Sequence, residues 1–274
     1  MKEFIWKLLP GFIRRAWSGN AAEKQSGWFG NYSAWEEASE AATGYDSALI
    51  LEKVRQSLLK VKRGEAAFER DSVAFKKLDS DPELCRWLGK IAAEKNNTLR
   101  VLDFGGSLGS SYFQYSKALK NVSFSNWTVV EQPHFAEAGR RDFADQILKF
   151  ETAPEAAFAN EKPDLLLLFS VLPYLKEPFQ LLEKLVTLMP EYIIVDRTPV
   201  LAEKPTRLTV QIVPEHIYKA SYPAWLFNEK QLLEAFREKY EHIAEFRSKF
   251  AAPYLLEDGT KAEWKGFVFK RRSA

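Results

Sequence analysis

The chain has 274 residues, 46% of them hydrophobic, and a formal net charge of +2. That length can form one large core with additions or two modest domains, and the near-neutral charge excludes a strong overall attraction to nucleic acid or to anionic membranes. A single cysteine, Cys85, excludes a disulfide within the chain, and three histidines argue against a multi-histidine metal site.

The first 17 residues are predicted to be a basic amphipathic segment, with apolar residues such as Phe4 and Leu8 set against Lys7 and Arg14. Charges interrupt the apolar run and no small-residue cleavage site follows, which argues against a signal peptide. Two interpretations stay open: a helix packed on the domain, or a weak contact with a membrane surface or a partner. No run reaches the roughly 20 apolar residues of a membrane-spanning helix. We therefore expect a cytoplasmic protein, which the second interpretation would place at the inner face of the membrane.

Residues 1–97 are predicted to form a helical and aromatic N-terminal region. Residues 18–45 are rich in Gly, Ser, Asn and aromatic side chains, so we expect an irregular segment that covers the core or forms a wall of a binding cleft. Helices with one apolar face are then predicted over 47–62, over 65–78, and from Pro82 behind the N-cap Asp81.

From residue 98 onward, apolar runs alternate with helical stretches, which is typical of a parallel sheet flanked by helices. The predicted strands are 99–104, 127–131, 147–151, 164–170, 192–196 and 207–213, with 241–250 and 264–270 as a terminal pair. The predicted helices are 109–119, one from Pro133, 177–189, and one that Asn228 caps and that runs to about Tyr240. The run 164–170 is apolar rather than alternating, so we expect a central strand covered on both faces.

The most informative segment is the turn that follows the first of these strands. Glycines permit a sharp turn there, and the free N–H groups at the start of the next helix favour a phosphate or a carboxylate. The spacing does not match the dinucleotide fingerprint, which has glycine at positions n, n+2 and n+5. It matches acidic-x-Gly-x-small-x-Gly instead, at Asp103, Gly105, Ser107 and Gly109, with Gly106 between them.

A second carboxylate ends the next predicted strand. Glu131 follows Gly109 by roughly 20 residues, which is the offset expected of a ribose-binding carboxylate in a nucleotide-binding sheet. One carboxylate can accept hydrogen bonds from two neighbouring hydroxyls. We therefore expect Asp103 and Glu131, at neighbouring strand ends, to hold one adenosine-type ligand, and we assign Gln132 to the same site.

These segments resemble class I S-adenosylmethionine-dependent methyltransferases. The glycine turn is similar to their first motif, with Ser107 in place of the middle glycine. The stretch 170–175 is similar in layout to the segment after their fourth strand, which implies that Ser170 and Val171 face the cofactor. Over most of the chain, a bacterial family of sequence-defined methyltransferases is similar, on the segments 28–35, 102–112, 130–135, 196–199 and 220–225.

This resemblance implies an α/β, Rossmann-like class I methyltransferase fold, with a mostly parallel seven-strand sheet and helices on both faces. Residues 98–274 would form the methyltransferase domain, and 1–97 a lid or an acceptor-side subdomain. The implied cofactor is S-adenosylmethionine. Genes of that family often accompany those for surface polysaccharides, so the implied acceptor is a small or saccharide-linked molecule of cell-envelope polysaccharide synthesis.

Candidate catalytic residues follow from the chemistry of methyl transfer, which needs an oriented acceptor and, for an oxygen nucleophile, a general base. Asp196 ends a predicted strand at the edge where ligands bind in such sheets. His216 and Tyr222 are further candidates on the acceptor side. Arg197 could hold an anionic acceptor or pair with Asp196. Aromatic residues in 28–35 and 222–227 suit an acceptor cleft or simply the core.

Two alternatives stay open. A nicotinamide-dependent oxidoreductase would need the other glycine spacing and usually a catalytic Tyr–Lys pair, neither of which the sequence contains. A non-catalytic, methyltransferase-like scaffold would bind a partner through the N-terminal segment, and the lack of an obvious base favours it. The expected partner in the main hypothesis is a small-molecule or glycan acceptor, with no nucleic acid and no metal.

Overall fold

The computed structural model describes residues 26–44, 47–160, 162–214, 220–249 and 252–273. The strands are, in chain order, β1 (Gly27–Tyr32), β2 (Phe68–Arg70), β3 (Val73–Phe75), β4 (Thr98–Phe104), β5 (Ser123–Val130), β6 (Leu148–Glu151), β7 (Leu165–Phe169), β8 (Tyr192–Leu201), β9 (Arg207–Ile212), β10 (Ser221–Asn228), β11 (Tyr240–Arg247), β12 (Tyr254–Leu255) and β13 (Lys261–Arg271). The α-helices are α1 (Trp35–Ala41), α2 (Ser47–Lys62), α3 (Pro82–Ala93), α4 (Ser110–Ala118), α5 (Pro133–Asp142), α6 (Pro154–Asn160), α7 (Pro178–Thr187) and α8 (Glu229–Glu234), and a 3₁₀ turn spans Leu172–Tyr174. The predicted amphipathic segment 1–17 lies outside the described residues.

The main sheet has the order β6-β5-β4-β7-β8-β13-β11 in the described part of the chain. The first five strands in this order, from β6 through β5, β4 and β7 to β8, are parallel to their neighbours. Strand β13 runs antiparallel to both β8 and β11. The predicted fold class, a Rossmann-like and mostly parallel seven-strand sheet, is therefore confirmed. In such sheets, ligands bind beyond the carboxyl ends of the strands, where the order reverses between β4 and β7.

Helices cover both faces of this sheet, as predicted. Alternate strand residues point to opposite faces, so Val101 of β4 belongs to the hydrophobic cluster that includes residues of α2, α3, α4 and α5, whereas Leu102 belongs to the cluster that includes residues of α6, α7 and α8. The central β7 is buried along its whole length, as its continuous apolar run indicates. Helices α2 and α3 share a hydrophobic cluster with β4 and β5. The division of the chain into two domains at residue 97 stays a prediction.

The strand predicted over 207–213 is confirmed as β9, but the antiparallel extension that it forms with β1 and β10 was not predicted. Strand β8 continues beyond Asp196 to Leu201 and pairs there with the end of β10, which in turn pairs with β9, and β9 with β1. The expectation of an irregular segment over 18–45 is wrong for its described part, which contains β1 and α1. Strand β10 was not predicted because it contains Pro223, and proline inside an apolar run argues against a strand.

The predicted helix over 65–78 is also wrong, because β2 and β3 form a hairpin there. Its turn residues Asp71 and Ser72 both have positive φ, 52° and 67°. A tight turn of this kind usually carries Asn-Gly or Asp-Gly, so Asp-Ser gave no signal. The rings of Phe68 and Phe75 stack across the two strands with centroids 4.8 Å apart.

Helix starts were predicted better than helix ends. The side chain of Asp81 caps α3 and that of Asn228 caps α8, as predicted. However, α8 ends at Glu234, well before the expected Tyr240, and turns lead into β11. Among the described residues, no helix has the length and apolar character that crossing a membrane requires.

Candidate functional site

The glycine turn after β4 folds back sharply at the carboxyl edge of the sheet. The Gly105 N–H donates to the Val130 carbonyl at 2.9 Å. Gly105 and Gly109 have φ values of +75° and +90°, which glycine adopts readily. A β-carbon on Gly105 would lie 2.5 Å from Val171 Cγ2. The turn therefore needs glycine at position 105 both for its backbone conformation and for its packing against the loop after β7.

Glu131 reaches this turn from β5. Its Oε1 accepts a hydrogen bond from the Ser107 N–H at 3.2 Å, and its Oε2 accepts one from the Gln132 N–H at 2.8 Å. Burial raises the pKa of Glu131, while these two N–H groups and nearby His134 oppose that rise. Each carboxylate oxygen can accept a second hydrogen bond, so Glu131 is oriented by the protein and can still accept from a ligand.

Asp103 is 1% exposed, and its carboxyl group lies against Gly106 of the turn, where an added β-carbon would be 2.4 Å from the Asp103 Cγ. The Trp127 indole N–H donates to its Oδ2 at 3.2 Å, but its Oδ1 has no hydrogen-bond partner among the described residues. Burial raises the pKa of Asp103 to about 7, and the charge of Glu131 adds to that rise. A buried oxygen without a donor is costly. Asp103 therefore has an oxygen that could accept a hydrogen bond from a cationic ligand group.

The loop after β7 meets the same edge. The Ser170 N–H donates to the Asp196 carbonyl at 3.0 Å, which ties β7 to β8 at the last residue pair between them. Val171 packs against Gly105. The structure thus brings Ser170, Val171 and the glycine turn together, while their predicted contacts with a cofactor stay predictions.

Asp196 is 1% exposed and lies within β8 rather than at its end. The Ser248 hydroxyl donates to its Oδ1 at 2.6 Å, and Arg197 Nε lies 4.0 Å from its Oδ2. Burial raises the pKa of Asp196, against the effect of Arg197 and Ser248. Its carboxylate is thus held inside a hydrogen-bonded group, and its catalytic role stays a prediction.

The other two catalytic candidates differ in how well they are described. His216 lies in 215–219, outside the described residues. Tyr222 is half-buried on β10, and its ring meets the edge of Tyr174 with centroids 5.3 Å apart. The Trp225 indole N–H also donates to the Leu175 carbonyl at 3.0 Å. The start of β10 therefore packs against the loop that continues from Ser170 and Val171.

Sequence reasoning missed Glu69, which comes from the β2–β3 hairpin. Its carboxylate accepts hydrogen bonds from the Ser72 N–H and from the hydroxyl of Ser110, the first residue of α4. Burial raises the pKa of Glu69 to about 7. The charge of Arg197 acts on both Glu69 and Asp103. No signal in the sequence could have found the contact of Glu69 with Ser110, because only the tertiary fold brings the hairpin and α4 together.

The geometry defines what this edge can bind. Asp103 offers an unpaired carboxylate oxygen for a donor or cation, Glu131 can accept from hydroxyl groups, and the N-terminus of α4 carries N–H groups that favour a carboxylate. These three groups surround one turn. A ligand with an ammonium, a carboxylate and neighbouring hydroxyls would satisfy all of them.

No protein-family model matches the chain, and no curated protein matches its sequence. Solved structures are similar in fold. The 1,6-didemethyltoxoflavin-N1-methyltransferase of Burkholderia thailandensis, with 1,6-didemethyltoxoflavin and S-adenosylhomocysteine bound, is 14% identical, with a TM-score of 0.45 over 93% of this chain and 99% of that one. The N-terminal domain of EvdMO1, with S-adenosylhomocysteine and D-fucose, is 14% identical, with a TM-score of 0.47 over 84% and 98%.

A third similar structure is CalS10 of Micromonospora echinaspora, described as an amino pentose methyltransferase with S-adenosylmethionine bound. It is 12% identical, with a TM-score of 0.45 over 78% of this chain and 96% of that one. At such identities and scores, these similarities assign neither a cofactor nor a substrate to the present chain.

Proposed function

We propose that the protein is an S-adenosylmethionine-dependent methyltransferase that acts on a small or saccharide-linked acceptor. The observation that carries this proposal is the unpaired, buried Oδ1 of Asp103 beside the glycine turn, with Glu131 across the turn. Burial raises the pKa of Asp103 to about 7 although the charge of Arg197 opposes that rise, and among the described residues its Oδ1 has no cationic neighbour within hydrogen-bond distance. The ammonium group of the cofactor's amino-acid end would supply that neighbour.

Each residue has a defined task in this proposal. Asp103 would accept a hydrogen bond from the ammonium, and the first N–H groups of α4 would favour the carboxylate of the same end. Glu131, with Gln132 beside it, would accept from the ribose hydroxyls. Gly105, Gly106, Ser107 and Gly109 would form the turn around the ligand. When bound, the cofactor supplies a methyl group on a positively charged sulfur.

The chain's contribution to the reaction would be chiefly orientation of the acceptor, which can supply much of the rate of such a displacement. Ser170 and Val171, next to the glycine turn, would border the methyl group. Tyr222 is our candidate for contact with the acceptor, because it packs on the loop that follows Val171. Asp196 and His216 stay candidates for the base. A role in cell-envelope polysaccharide synthesis, in the cytoplasm, belongs to the same proposal.

Calorimetric titration with S-adenosylhomocysteine tests the proposal. We expect binding to the wild type, and binding weakened roughly 10- to 100-fold in Glu131→Ala, because hydrogen bonds to a charged group are lost. Glu137→Ala is the matched control: Glu137 is an exposed glutamate on α5, and its loss should leave the affinity unchanged. Absence of binding heat with the wild type would refute the proposal.

Two further measurements separate the alternatives: a titration with reduced nicotinamide dinucleotide, and a methylation assay with glycan acceptors. Binding of reduced nicotinamide dinucleotide in place of S-adenosylhomocysteine would favour the oxidoreductase. Binding of S-adenosylhomocysteine without methylation of any glycan acceptor would favour the non-catalytic scaffold. No feature of the described residues favours either alternative over the methyltransferase.

A further inference from the structure

A row of three side chains crosses the antiparallel extension. Trp28 of β1 is paired with Gln211 of β9, and Gln211 is paired with Tyr222 of β10. Residues directly opposite each other in antiparallel strands project from the same face. Neighbouring strands lie about 5 Å apart, so this row is about 10 Å long. All three residues are half-buried, so the row lies partly at the molecular surface.

The centre of the row holds an unsatisfied polar atom. Gln211 Oε1 is buried and, within the part of the chain that the structure describes, accepts no hydrogen bond. Nearly all buried polar atoms in native proteins have a partner, and an exception calls for an explanation. The two flanking residues offer aromatic rings. An acceptor between two rings requires a ligand that combines apolar faces with a hydrogen-bond donor.

Both ends of the row are fixed. The Trp28 ring packs against those of Tyr254 and Trp264, with centroids 5.1 and 4.8 Å away. The Tyr222 ring packs edge-on against Tyr174, in the turn that follows the loop at Val171. The row therefore starts beside the proposed methyl-transfer position and leads away from it. Rings held in place in this way lose little conformational freedom when a ligand binds.

The ligand should be uncharged. The nearest charged side chain on this face of β9 is Arg207, at the start of the strand, with Thr209 between it and Gln211. The Arg207 guanidinium donates to the Gly30 carbonyl at 2.9 Å and to Asp258 at 2.7 Å. That charge is paired within the protein, and none of the three residues of the row is an Asp, Glu, His, Lys or Arg. A sugar ring fits these requirements, because it has C–H faces for aromatic rings and hydroxyl donors at its rim.

We propose that Trp28, Gln211 and Tyr222 form the acceptor site, and that it binds the pyranose ring of an uncharged saccharide, with a ring hydroxyl donating to Gln211 Oε1. This assignment rests on the proposed function, because the row is interpreted as an acceptor site from its position beside the methyl-transfer loop. Sites built to hydrogen-bond a hydroxyl reject analogues that lack it, because their buried polar groups would stay unpaired. Gln211 would thus determine acceptor specificity.

Saturation-transfer NMR with the full chain tests the site directly. The probes are methyl β-D-glucopyranoside, methyl β-D-galactopyranoside and methyl α-D-mannopyranoside, with cyclohexanol as a six-membered ring that has one hydroxyl, each with and without S-adenosylhomocysteine. We expect saturation of the ring protons of at least one glycoside, stronger than that of cyclohexanol. In Gln211→Leu, the glycoside should bind roughly tenfold more weakly. Gln56→Leu, which alters an exposed glutamine on α2, should behave as the wild type.

Thermal unfolding supplies a second readout, because a ligand-binding role and a purely structural role of Gln211 predict opposite changes in Tm when it is replaced. Gln211→Leu removes an unpaired buried acceptor, so we expect the Tm to rise by roughly 2–5 °C. A fall in Tm would overturn the proposal, since it would mean that the amide serves the fold. So would absence of glycoside saturation in the wild type, saturation unchanged in Gln211→Leu, or equal saturation of cyclohexanol.

Failure of this inference is distinguishable from failure of the proposed function. If S-adenosylhomocysteine binds but no glycoside does, the acceptor site is refuted and the cofactor site stands. If S-adenosylhomocysteine does not bind but a glycoside does, and Gln211→Leu abolishes it, the row is a sugar site and the methyltransferase proposal fails.

Discussion

Two parts of the carboxyl edge of the sheet hold buried carboxylates in different ways. At the glycine-turn edge, formed by Asp103, Glu131 and the turn 105–109, main-chain N–H groups orient Glu131 and leave one oxygen of Asp103 unpaired. At the β8 edge, formed by Asp196, Arg197 and Ser248, the carboxylate accepts from the Ser248 hydroxyl and lies 4.0 Å from the guanidinium of the next residue on the strand. The first edge keeps one carboxylate oxygen without a donor, which is why we propose it as the ligand site, whereas the carboxylate of the second edge has partners within the protein.

This difference shows why burial alone does not mark a binding residue. Asp103 and Asp196 are equally buried, at 1% exposed each, and burial raises the pKa of both. The two carboxylates differ in the groups that partner them. Asp196 has the Ser248 hydroxyl and a neighbouring guanidinium, whereas Asp103 has a single indole N–H. The missing donor, and not the buried charge, points to a ligand.

The largest expected effect is on the pH dependence of stability. The pKa of Asp103 is raised from 3.8 to about 7, so the folded protein binds this proton more tightly than the unfolded chain does. The stabilisation of the folded state by proton binding at Asp103 is complete below about pH 4 and is lost as the pH rises through about 7. We expect the free energy of unfolding of the wild type, minus that of Asp103→Asn, to fall by about 4 kcal/mol between these limits. Urea denaturation at stepped pH measures this difference.

The control for this experiment is Asp258→Asn. The pKa of Asp258 is lowered to about 2, chiefly by the Thr260 N–H, so its titration lies below that window. Saturating S-adenosylhomocysteine should reduce the fall seen with Asp103, because a bound ammonium favours the ionised carboxylate. A difference between wild type and Asp103→Asn that does not change with pH would show that Asp103 already has a partner.

The next effect compares two glycines with nearly equal φ. Gly105→Ala should lower the free energy of unfolding by about 3 kcal/mol, because backbone strain adds to a clash with Val171. A β-carbon added to Gly64, at φ +78°, would have nothing within 4 Å. Gly64→Ala should therefore cost about 1 kcal/mol from strain alone. Equal losses in the two variants would show that Val171 yields and that the turn is not tightly packed.

Ser248→Ala tests the satisfied edge. It removes the donor to Asp196 and the acceptor of the Arg197 N–H, which lies 3.1 Å from Ser248 Oγ. Leaving a buried carboxylate without its donor should cost about 2 kcal/mol. Ser116→Ala, which removes an exposed bond to the Tyr112 carbonyl within α4, should cost much less. If the two variants lose the same stability, Ser248 is not what satisfies Asp196.

The glycine-turn edge could be predicted from the sequence because its members are close along the chain. The spacing from Asp103 to Gly109 and the offset to Glu131 follow from one strand, one turn and one helix. Strand β7 and the caps Asp81 and Asn228 were likewise local signals.

The rest of the edge depends on contacts between distant segments. Glu69 meets Ser110, and Ser248 meets Asp196, only after the hairpin and β11 have docked. The row through Gln211 depends on the pairing of β1 with β9, two strands that lie far apart in the chain. The proline in β10 and the Asp-Ser hairpin turn removed the local signals for these elements, so sequence periodicity could not have found them.

The smallest expected effect tests whether the two edges are coupled. The Ser110 hydroxyl donates to Glu69, which joins the hairpin to the helix that follows the glycine turn. A double-mutant cycle of Ser110→Ala with Glu69→Leu, which removes the accepting oxygen, should give a coupling energy of about 1 kcal/mol, because the two side chains share one hydrogen bond. The same cycle with Ser110→Ala and Ser248→Ala, which share no partner, should be additive within about 0.5 kcal/mol. Strong coupling in the second cycle would mean that the edges behave as one network, so that a ligand bound at Asp103 would also change the surroundings of Asp196.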